Sequence, residues 1–495
     1  MNNSLDFSTF SRQSVGGIVF IYLKNLYAIF KKLWVAFLPI LASQNKSKSI
    51  LFAISLILVV LLFFLIKSIL SYLFYQFKIE DNHFIVKHGI LRKIQVSIPF
   101  EKIQNINFKQ NFIHQLIKVT QVDIETAGAK SVEISIKALS IEKAKAIKHL
   151  IYSSKKNQSE NFEETNTEIN KPILRISPTM LLKEGITENH FKSFILFAAF
   201  LFSIYSQNRN FFKDNIILKS VEKQFGEITN TLYGIFILIV FALSISLIIS
   251  FIKVFLIHFN LSVYYKDKVL EIVQGLLTKK HQILKKEKVQ SIVISTNPLK
   301  RKFCLSSVYF KQVSNAKKPG KKSLPTRIIG CNSKHLDTIK QFLYGNIDFA
   351  NCKKHKPHNY YIVQMAIRNL FLLLILNTII LATNDYPLFY MNIGLVPLLI
   401  FFIYKKYQKS YFKFNENLLI VGSGKIGTDT TYFPYYKLQS IELRQTIFQK
   451  KRTIYDIILQ NATEKIKLPC VNQRTANYIY NYFLYQTEIS TKKWM

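Results

Sequence analysis

The sequence is short of carboxylates and of cysteines, and both shortages narrow the possible classes of protein. Asp and Glu together number 29 against 67 Lys and Arg, which gives a formal net charge of +38. The four cysteines, Cys304, Cys331, Cys352 and Cys470, are scattered without a pairing rhythm. This spacing argues against a disulfide framework and is typical of a reduced compartment.

Signatures of catalysis are also missing from the sequence. No H-E-x-x-H, G-x-S-x-G or Walker loop occurs in it. The first residues contain no basic segment followed by a short apolar core and a small-residue cleavage site, so we expect no cleaved signal peptide. The sequence therefore predicts a protein that is not an enzyme and that carries no cofactor.

One stretch matches a cofactor-binding motif, because LLIVGSGKIGTDTTYFP fits G-x-G-x-x-G at Gly422, Gly424 and Gly427. A phosphate-binding loop of this type must open a helix, whose N-terminus then faces the pyrophosphate. Here the glycines lead into TDTTYFP, whose β-branched and aromatic residues predict a strand. We interpret the glycines as turn residues between two strands, and we predict no dinucleotide site.

A second stretch, NCKKHKPH, places Cys352, His355 and His358 within seven residues. Cys and His at such spacing can seed a zinc site. No fourth ligand stands nearby, and the intervening lysines oppose a cation. We therefore interpret this stretch as a basic linker and predict no bound metal.

The sequence is rich in apolar and aromatic residues, with 49% hydrophobic residues, 41 Phe and 26 Tyr. Clear apolar runs cover residues 50–74, 233–259 and 370–382, and weaker runs cover 18–42, 191–205 and 390–404. The clear runs have the length or the apolar density of transmembrane helices, and each weak run can complete a helical hairpin with a clear one. We predict about six transmembrane helices in three hairpin pairs.

The segments that follow these pairs repeat one another. Residues 89–106 read GILRKIQVSIPFEKIQNI, residues 275–292 read GLLTKKHQILKKEKVQSI, and residues 424–441 read GKIGTDTTYFPYYKLQSI. The repeat signature consists of Gly89, Pro99, Lys102, Gln104, Gly275, Lys288, Gln290, Gly424, Pro434, Lys437 and Gln439. We interpret these residues as structural, with the aliphatic residues beside them in the core and the glutamines at a bulge or turn.

This signature, together with the TAG turn at 126–128, resembles the bacterial pleckstrin-homology-like (PH-like) module of YdbS/YdbT-type membrane proteins. The resemblance implies a split β-barrel or sandwich that is capped by a C-terminal helix and follows a transmembrane pair. It implies no particular ligand. The expected fold is an α+β membrane protein in which three transmembrane hairpin pairs alternate with three PH-like modules.

The predicted boundaries follow from the runs and repeats. The transmembrane pairs cover 18–74, 191–260 and 366–405, the modules cover 75–155, 261–346 and 408–489, and the linkers cover 156–190 and 347–365. The first linker contains a surface helix that Ser177 and Pro178 open and Gly185 closes. Ser140 and Asn472 are predicted N-caps of module helices.

Basic residues crowd the second module and offer candidate contacts to anionic lipid. These are Lys279, Lys280, Lys285, Lys286, Lys288, Lys300, Arg301 and Lys302. A generic positive charge on the cytoplasmic side explains them equally well. Nucleic-acid binding is disfavoured, because the aromatic residues fit strand cores and membrane belts better than stacking platforms.

The sequence thus predicts a multi-pass protein of the cytoplasmic membrane whose modules face the cytosol and act as a scaffold. The expected partners are the lipid bilayer, anionic lipids, and a homo- or hetero-oligomer with a related membrane protein. Two alternatives stay open: a component of envelope-stress or antimicrobial-peptide defence, and a transporter or channel subunit. The transporter alternative requires polar groups within the spans, for which Lys67 and Asn377 are candidates.

Overall fold

The computed structural model forms two compact units. It describes residues 7–42, 46–126, 134–156, 172–188, 194–195, 199, 203, 232–266, 269–312, 326–345, 352–383 and 386–490. The first unit comprises residues 1–264, 271–283 and 315–321, and the second comprises 265–270, 284–314 and 322–495. The boundary between the units therefore runs through the predicted second module rather than beside it.

The helices and strands of the first part of the chain are as follows. They are β1 (Ser11–Arg12), α1 (Gly16–Ala42), α2 (Lys46–Leu73), β2 (Gln76–Glu80), β3 (His83–His88), β4 (Ile94–Pro99), β5 (Ile103–Gln110), α3 (Phe112–Leu116), β6 (Val119–Thr126), β7 (Ile134–Ser140), α4 (Ile141–Lys156), β8 (Leu174–Arg175), α5 (Pro178–Thr187) and α6 (Leu232–His258).

The rest of the chain continues the same alternation of apolar helices and strands. Its elements are β9 (Ser262–Lys266), β10 (Val269–Gln274), β11 (Lys279–Lys285), β12 (Val289–Thr296), α7 (Pro298–Lys302), β13 (Ser306–Gln312), β14 (Thr326–Cys331), α8 (Ser333–Tyr344), α9 (Tyr360–Thr383), α10 (Met391–Lys409), β15 (Tyr411–Phe414), β16 (Leu418–Ser423), β17 (Thr428–Pro434), β18 (Ser440–Arg444), α11 (Ile447–Lys450), β19 (Ile454–Gln460), β20 (Lys465–Asn472) and α12 (Gln473–Ile489).

Each sequence repeat folds in the same order of elements. Three strands are followed by a short 3₁₀ turn, three more strands and a helix. The 3₁₀ turns are Phe100–Lys102, Lys286–Lys288 and Tyr435–Lys437, so the signature lysine always ends the turn. We call the three strands before the turn the first half of a repeat, and the three strands after it the second half.

The repeat glycine is required by the turn within each first half. Gly89, Gly275 and Gly424 all have positive φ, at 117°, 108° and 139°. A Cβ atom on any of them would lie within 2.3 Å of the carbonyl oxygen three residues later. Only glycine avoids both the clash and the left-handed strain, which explains its recurrence.

The halves combine into sheets across repeat boundaries. The four-stranded sheet has the order β1-β2-β3-β4, and the three-stranded sheet has the order β18-β19-β20. The seven-stranded sheet has the order β7-β6-β5-β11-β10-β9-β8, and the six-stranded sheet has the order β14-β13-β12-β17-β16-β15. The second half of one repeat thus continues into the first half of the next.

The first and third repeats each have an apolar core between strands and helix. In the first repeat the largest fully buried side chains include Phe77, Phe84, Ile106 and Ile136, with Ile147 from α4. The corresponding core of the third repeat contains Leu419, Phe433, Tyr435, Leu459 and, from α12, Phe483. The period-2 burial of the strands provides one face of each core, and the closing helix covers it.

The aliphatic residues of the repeat signature are buried as predicted. Ile106 and Ile292 are fully buried, and Ile441 packs against the third core. The pairing register shifts at the position of Gln104 in β5 and of Gln290 in β12, which places the predicted bulge at both glutamines. Gln439 precedes β18, where its backbone N–H donates to the carbonyl of Gln460 at 2.9 Å.

Two helical segments of the described residues are long and apolar enough to cross a membrane, Tyr360–Thr383 and Tyr386–Lys409. The second contains the weaker run 390–404, which a 3₁₀ turn at Tyr386–Tyr390 and the basic end of α10 extend. Three other apolar helices are shorter by the same measure: Gly16–Ile29, Ile57–Leu73 and Leu243–His258. Most of residues 191–206 lie outside the described residues, so the count of six remains a prediction.

Several local predictions need correction. Gly185 does not close the surface helix, because α5 continues to Thr187 and Gly185 instead packs against Phe251. Ser140 does cap α4, accepting from the Lys143 N–H at 3.3 Å, whereas Asn472 makes no side-chain cap bond to α12. The TAG turn predicted at 126–128 begins at the last residue of β6, and its other two residues lie outside the described residues.

Candidate functional site

The linker before α9 is held against the third repeat by backbone hydrogen bonds. His355 exchanges N–H···O bonds of 2.9 Å with Phe412 in β15, and the His358 N–H donates to the Cys470 carbonyl in β20 at 2.8 Å. The Tyr407 hydroxyl of α10 donates to the Pro357 carbonyl at 3.3 Å. These bonds place the start of α9 and the end of α10 beside the strands of the third repeat.

A cavity of about 400 Å³ opens where these elements meet. Its lining comes from the linker, both helices and the strands β15, β16 and β20. The lining residues are Pro357, Tyr361, Gln364, Met365, Arg368, Lys406, Ser410, Tyr411, Phe412, Val421, Gly422, Ser423, Lys467, Leu468 and Pro469. We call this cavity the basic pocket.

Three cations converge on the basic pocket from three different elements, Arg368 from α9, Lys406 from α10 and Lys467 from β20. Lys467 forms an ion pair of 2.6 Å with the buried Asp456. Within the described part of the chain no carboxylate pairs with Arg368 or Lys406, and both Arg368 and Lys467 act electrostatically on Lys406. The pocket therefore keeps an excess of positive charge that an anion would neutralise.

The remaining walls of the basic pocket are apolar or carry neutral polar groups. Met365 is buried, and the Ser410 hydroxyl donates to the Lys406 carbonyl at 2.7 Å. Behind the pocket, burial raises the pKa of the Cys470 thiol to about 11, so this thiol stays protonated at neutral pH. A protonated thiol is a weak nucleophile, so Cys470 does not give the pocket thiolate chemistry.

The G-x-G-x-x-G stretch contributes to this pocket as a close-packed wall. A Cβ atom on Gly422 would lie 2.1 Å from the ring of Tyr411, which lines the pocket. A Cβ on Gly427 would lie 2.9 Å from the Thr296 carbonyl in the neighbouring strand β12. Gly422 and Gly427 thus permit close packing, and Gly424 forms the repeat turn. The stretch leads into strand β17, as the sequence predicts.

The structure places the candidate lipid contacts predicted in the second module on three successive elements. Lys279, Lys280 and Lys285 lie in β11, Lys286 and Lys288 lie in the 3₁₀ turn after it, and Lys300, Arg301 and Lys302 lie in α7. Lys300 must be removed from the set, because its side chain is buried and its ammonium group donates to Ser307 Oγ at 2.8 Å. Arg301 remains exposed and donates to the Thr428 hydroxyl at 3.0 Å.

The signature lysine of the third repeat is buried between repeats rather than exposed to a ligand. Lys437 is fully buried, and its ammonium group donates to the backbone carbonyl of Glu287 at 2.5 Å. Burial lowers the pKa of Lys437 from 10.5 to about 8, although the nearby Glu287 carboxylate raises it.

The remaining polar candidates have structural partners. The His355 ring stacks on Phe412, with ring centroids 5.1 Å apart, and His358 Nδ1 accepts from the Tyr360 N–H at 3.2 Å. Asn377, proposed for a transport path, accepts from the Asn392 side chain at 2.9 Å, and Lys67 lies over the Phe64 ring at 5.6 Å. Each of these four side chains therefore contacts another residue of the chain.

Sequence reasoning missed the basic pocket. Arg368, Lys406 and Lys467 stand far apart in the chain, and none of them belongs to the repeat signature. A weak signal exists in α9, where Arg368 is the one charged residue of the helix. The other two lysines resemble ordinary charged residues at a helix end and on a strand.

The repeats and their fold can now be compared with known proteins. The family model described as bacterial PH domain matches residues 29–155, 214–345 and 369–487. These three matches cover more than half of the chain. The chain belongs to the bacterial PH domain family. The resemblance predicted from the repeat signature is thereby confirmed, including its threefold repetition.

Each bacterial PH domain match begins ahead of the strands, and the first and third begin inside apolar helices, α1 and α9. A curated relative is the UPF0699 transmembrane protein YdbT of Bacillus subtilis (strain 168), 23% identical over 464 residues. The alignment covers 89% of this chain and 92% of that relative.

Among solved structures, the β subunit from DNA polymerase of Streptococcus pyogenes aligns with 10% identity over 83% of this chain and 81% of that chain. Its TM-score is 0.08, a value at which the two folds share no likeness.

Proposed function

We propose that this chain is a multi-pass protein of the cytoplasmic membrane that acts as a non-enzymatic scaffold. In this proposal, three helix pairs anchor three cytosolic bacterial PH domains, and the basic pocket binds the headgroup of an anionic lipid. The observation that carries the proposal is the convergence of Arg368, Lys406 and Lys467 on one cavity at the ends of two apolar helices.

The position of the pocket along the helices supports a role at the membrane surface. α9 begins beside the third domain and α10 ends there, so the apolar middles of both helices lie to one side of it. Lysines flank the same ends, with Lys353 and Lys354 before α9 and Lys405 and Lys409 in α10. Such clustering of Lys at one end of a helix pair favours the cytoplasmic face, where anionic lipids add a negative surface potential.

The chemistry of the pocket favours a phosphate-containing headgroup. A guanidinium group can form paired hydrogen bonds with phosphate oxygens, which Arg368 offers, and an ammonium group adds a point charge, which Lys406 offers. Met365 and Pro357 provide apolar contact for a glycerol backbone. A volume of about 400 Å³ lies within the range of small-molecule sites and leaves room for a headgroup.

The test uses the full-length protein in nanodiscs, with bound lipid counted by native mass spectrometry. We expect retention of anionic phospholipid over phosphatidylcholine, and its loss in the double variant Arg368→Gln/Lys406→Gln. Each cation near a charged surface contributes about 1 kcal/mol, so removal of both weakens binding by about 2 kcal/mol, or about 30-fold.

A matched control removes the same charge elsewhere in the second unit, through Lys334→Gln/Lys451→Gln at two exposed positions. Equal losses in the two double variants would show general charge attraction and overturn a specific pocket. High salt gives a second control, because diffuse attraction is screened while a partly enclosed site is screened less. Retention of the lipid by Arg368→Gln/Lys406→Gln would also refute the proposal.

A further inference from the structure

Two internal strand pairings join successive repeats. In the first seam, β5 of the first repeat pairs antiparallel with β11 of the second, with Lys280 opposite Lys109 and His281 opposite Phe108. In the second seam, β12 of the second repeat pairs antiparallel with β17 of the third, with Asp429 opposite Ser295. In both seams the fourth strand of one repeat pairs with the third strand of the next.

The two seams have the same register. Lys280 and Asp429 each stand five residues after their repeat glycine, and their partners Lys109 and Ser295 each stand twenty residues after theirs. Neighbouring pairs agree, because Phe108 opposite His281 corresponds to Ile294 opposite Thr430. A register that recurs between different sequences indicates that the shape of the repeat, rather than one set of side chains, specifies the pairing.

Side chains of the short helix after the fourth strand also recur at the seams. Gln115 in α3 donates to the carbonyls of Leu276 and Leu277 at 3.0 and 3.1 Å, in the turn before β11. Arg301 in α7, the equivalent position, donates to Thr428 at the start of β17. Each seam therefore consists of a strand pair and a polar contact from the helix to the next repeat.

Among the described strands, the first and the third repeat each have one strand, of the kind that pairs at the seams, without a partner on its outer side. Within the described residues β4, the third strand of the first repeat, pairs only with β3. β18, the fourth strand of the third repeat, pairs only with β19. These are the two strand types that join at both internal seams, and the chain presents one of each.

The edge at β4 exposes two apolar side chains, and one of them has a less exposed equivalent at the first seam. Leu91 in the turn before β4 is 100% exposed, whereas its equivalent Leu277, which accepts from Gln115 at the first seam, is 42% exposed. Ile94, at the start of β4, is also exposed. An apolar edge strand with unpaired backbone groups is a template for another strand unless something covers it.

We propose that β18 of one copy pairs antiparallel with β4 of a second copy, in the register of the two internal seams. Arg444 would then lie opposite Ile94, Leu443 opposite Gln95 and Glu442 opposite Val96. The contact is heterologous, so every copy uses both edges and the chains join head to tail into a ring or an open row. Anchorage of all copies in one membrane keeps their domains on the same side and raises their effective concentration.

The test is site-directed disulfide formation between two tagged full-length populations that share one membrane. One population carries Val96→Cys and the other carries Glu442→Cys, both in a background where the accessible Cys304 and Cys352 are replaced by Ser. We expect a disulfide-linked product that contains both tags. A chain with both substitutions should give a ladder of dimers, trimers and larger species.

Two controls fix the meaning of each result. The pair Val293→Cys/Thr431→Cys occupies the equivalent positions of the second seam and should close within one chain, which proves that the geometry and oxidant suffice. The pair Gln95→Cys/Glu442→Cys is out of register by one residue, so its side chains face opposite sides and should crosslink weakly.

Three outcomes would overturn the proposal. In the first, the internal control pair forms its disulfide, but Val96→Cys and Glu442→Cys form none with each other. This result would mean that something other than a second copy covers the edges. The second is crosslinking of Val96→Cys with itself, which would show a symmetric β4–β4 contact. The third is a disulfide between residues 96 and 442 of the same chain, which would show closure within a monomer.

Discussion

The buried lysine at the second seam makes the free energy of unfolding rise with pH across an alkaline window. Lys437 is fully buried with its ammonium group on the Glu287 carbonyl, and burial lowers its pKa from 10.5 to about 8. The folded protein therefore releases this proton at a lower pH than the unfolded chain does. Lys437 thus favours folding least below about pH 8, and its contribution grows until about pH 10.5.

The size of this pH effect on stability follows from the difference between the folded and unfolded pKa values of Lys437. A shift of one pKa unit corresponds to about 1.4 kcal/mol, so the full change across this window is about 3 kcal/mol. Between about pH 7 and about pH 9 the free energy of unfolding should rise by about 1.3 kcal/mol, because these pH values span only part of the range between the two pKa values. For a unit of this size, that gain raises the unfolding midpoint by about 4 °C.

The measurement is thermal unfolding of the full-length protein in detergent, at the two pH values, for the wild type and for Lys437→Met. Methionine keeps the length of the side chain and removes the titrating group, so the pH-dependent difference should disappear in that variant. Lys451→Met, at an exposed position in the third repeat, serves as the control and should keep the wild-type pH response. The same pH response in Lys437→Met and the wild type would refute the assignment.

Two further predictions test other parts of the structure. Gly422→Ala places a methyl group against the Tyr411 ring and should cost about 1–3 kcal/mol, while Gly394→Ala, with open space around it, should not destabilise the protein in the same unfolding assay. In the first unit, a hydrogen bond from His281 and the nearby Lys148 lower the pKa of Glu271 to about 2. The stability that Glu271 contributes is thus present above its ordinary pKa of 4.5 and is lost as the pH falls toward 2. Glu271→Gln should therefore weaken the dependence of stability on pH in acid, measured as unfolding by circular dichroism.

Much of the fold could be predicted from local pattern. The glycine-to-lysine spacing located three repeats, and Gly89, Gly275 and Gly424 proved to share one strained turn. The predicted N-cap positions, Ser140 and Asn472, also lie directly before α4 and α12, because capping residues can be found in a single stretch of sequence. The G-x-G-x-x-G stretch is followed by strand β17 rather than by a helix, as the pattern of the residues after it predicts.

The candidate site was much less predictable. The clustered lysines of the second module were the predicted lipid contacts, yet one of them, Lys300, is buried and donates to Ser307. The convergence of Arg368, Lys406 and Lys467 depends on how a helix pair meets three strands. Charge counted along the sequence contains no information about such convergence, because the residues that meet are far apart in the chain.

The sequence by itself determined the repeat, its turns, the apolar helices and the membership of the bacterial PH domain family. Each of these depends on residue type at short range, through backbone conformation, burial period and hydrophobic length. Only the tertiary structure decided which strand joins the next repeat, and where the basic pocket lies. Strand edges pair through backbone N–H and C=O groups, which nearly all residue types have. The residue types along a strand therefore do not indicate which two edges will pair.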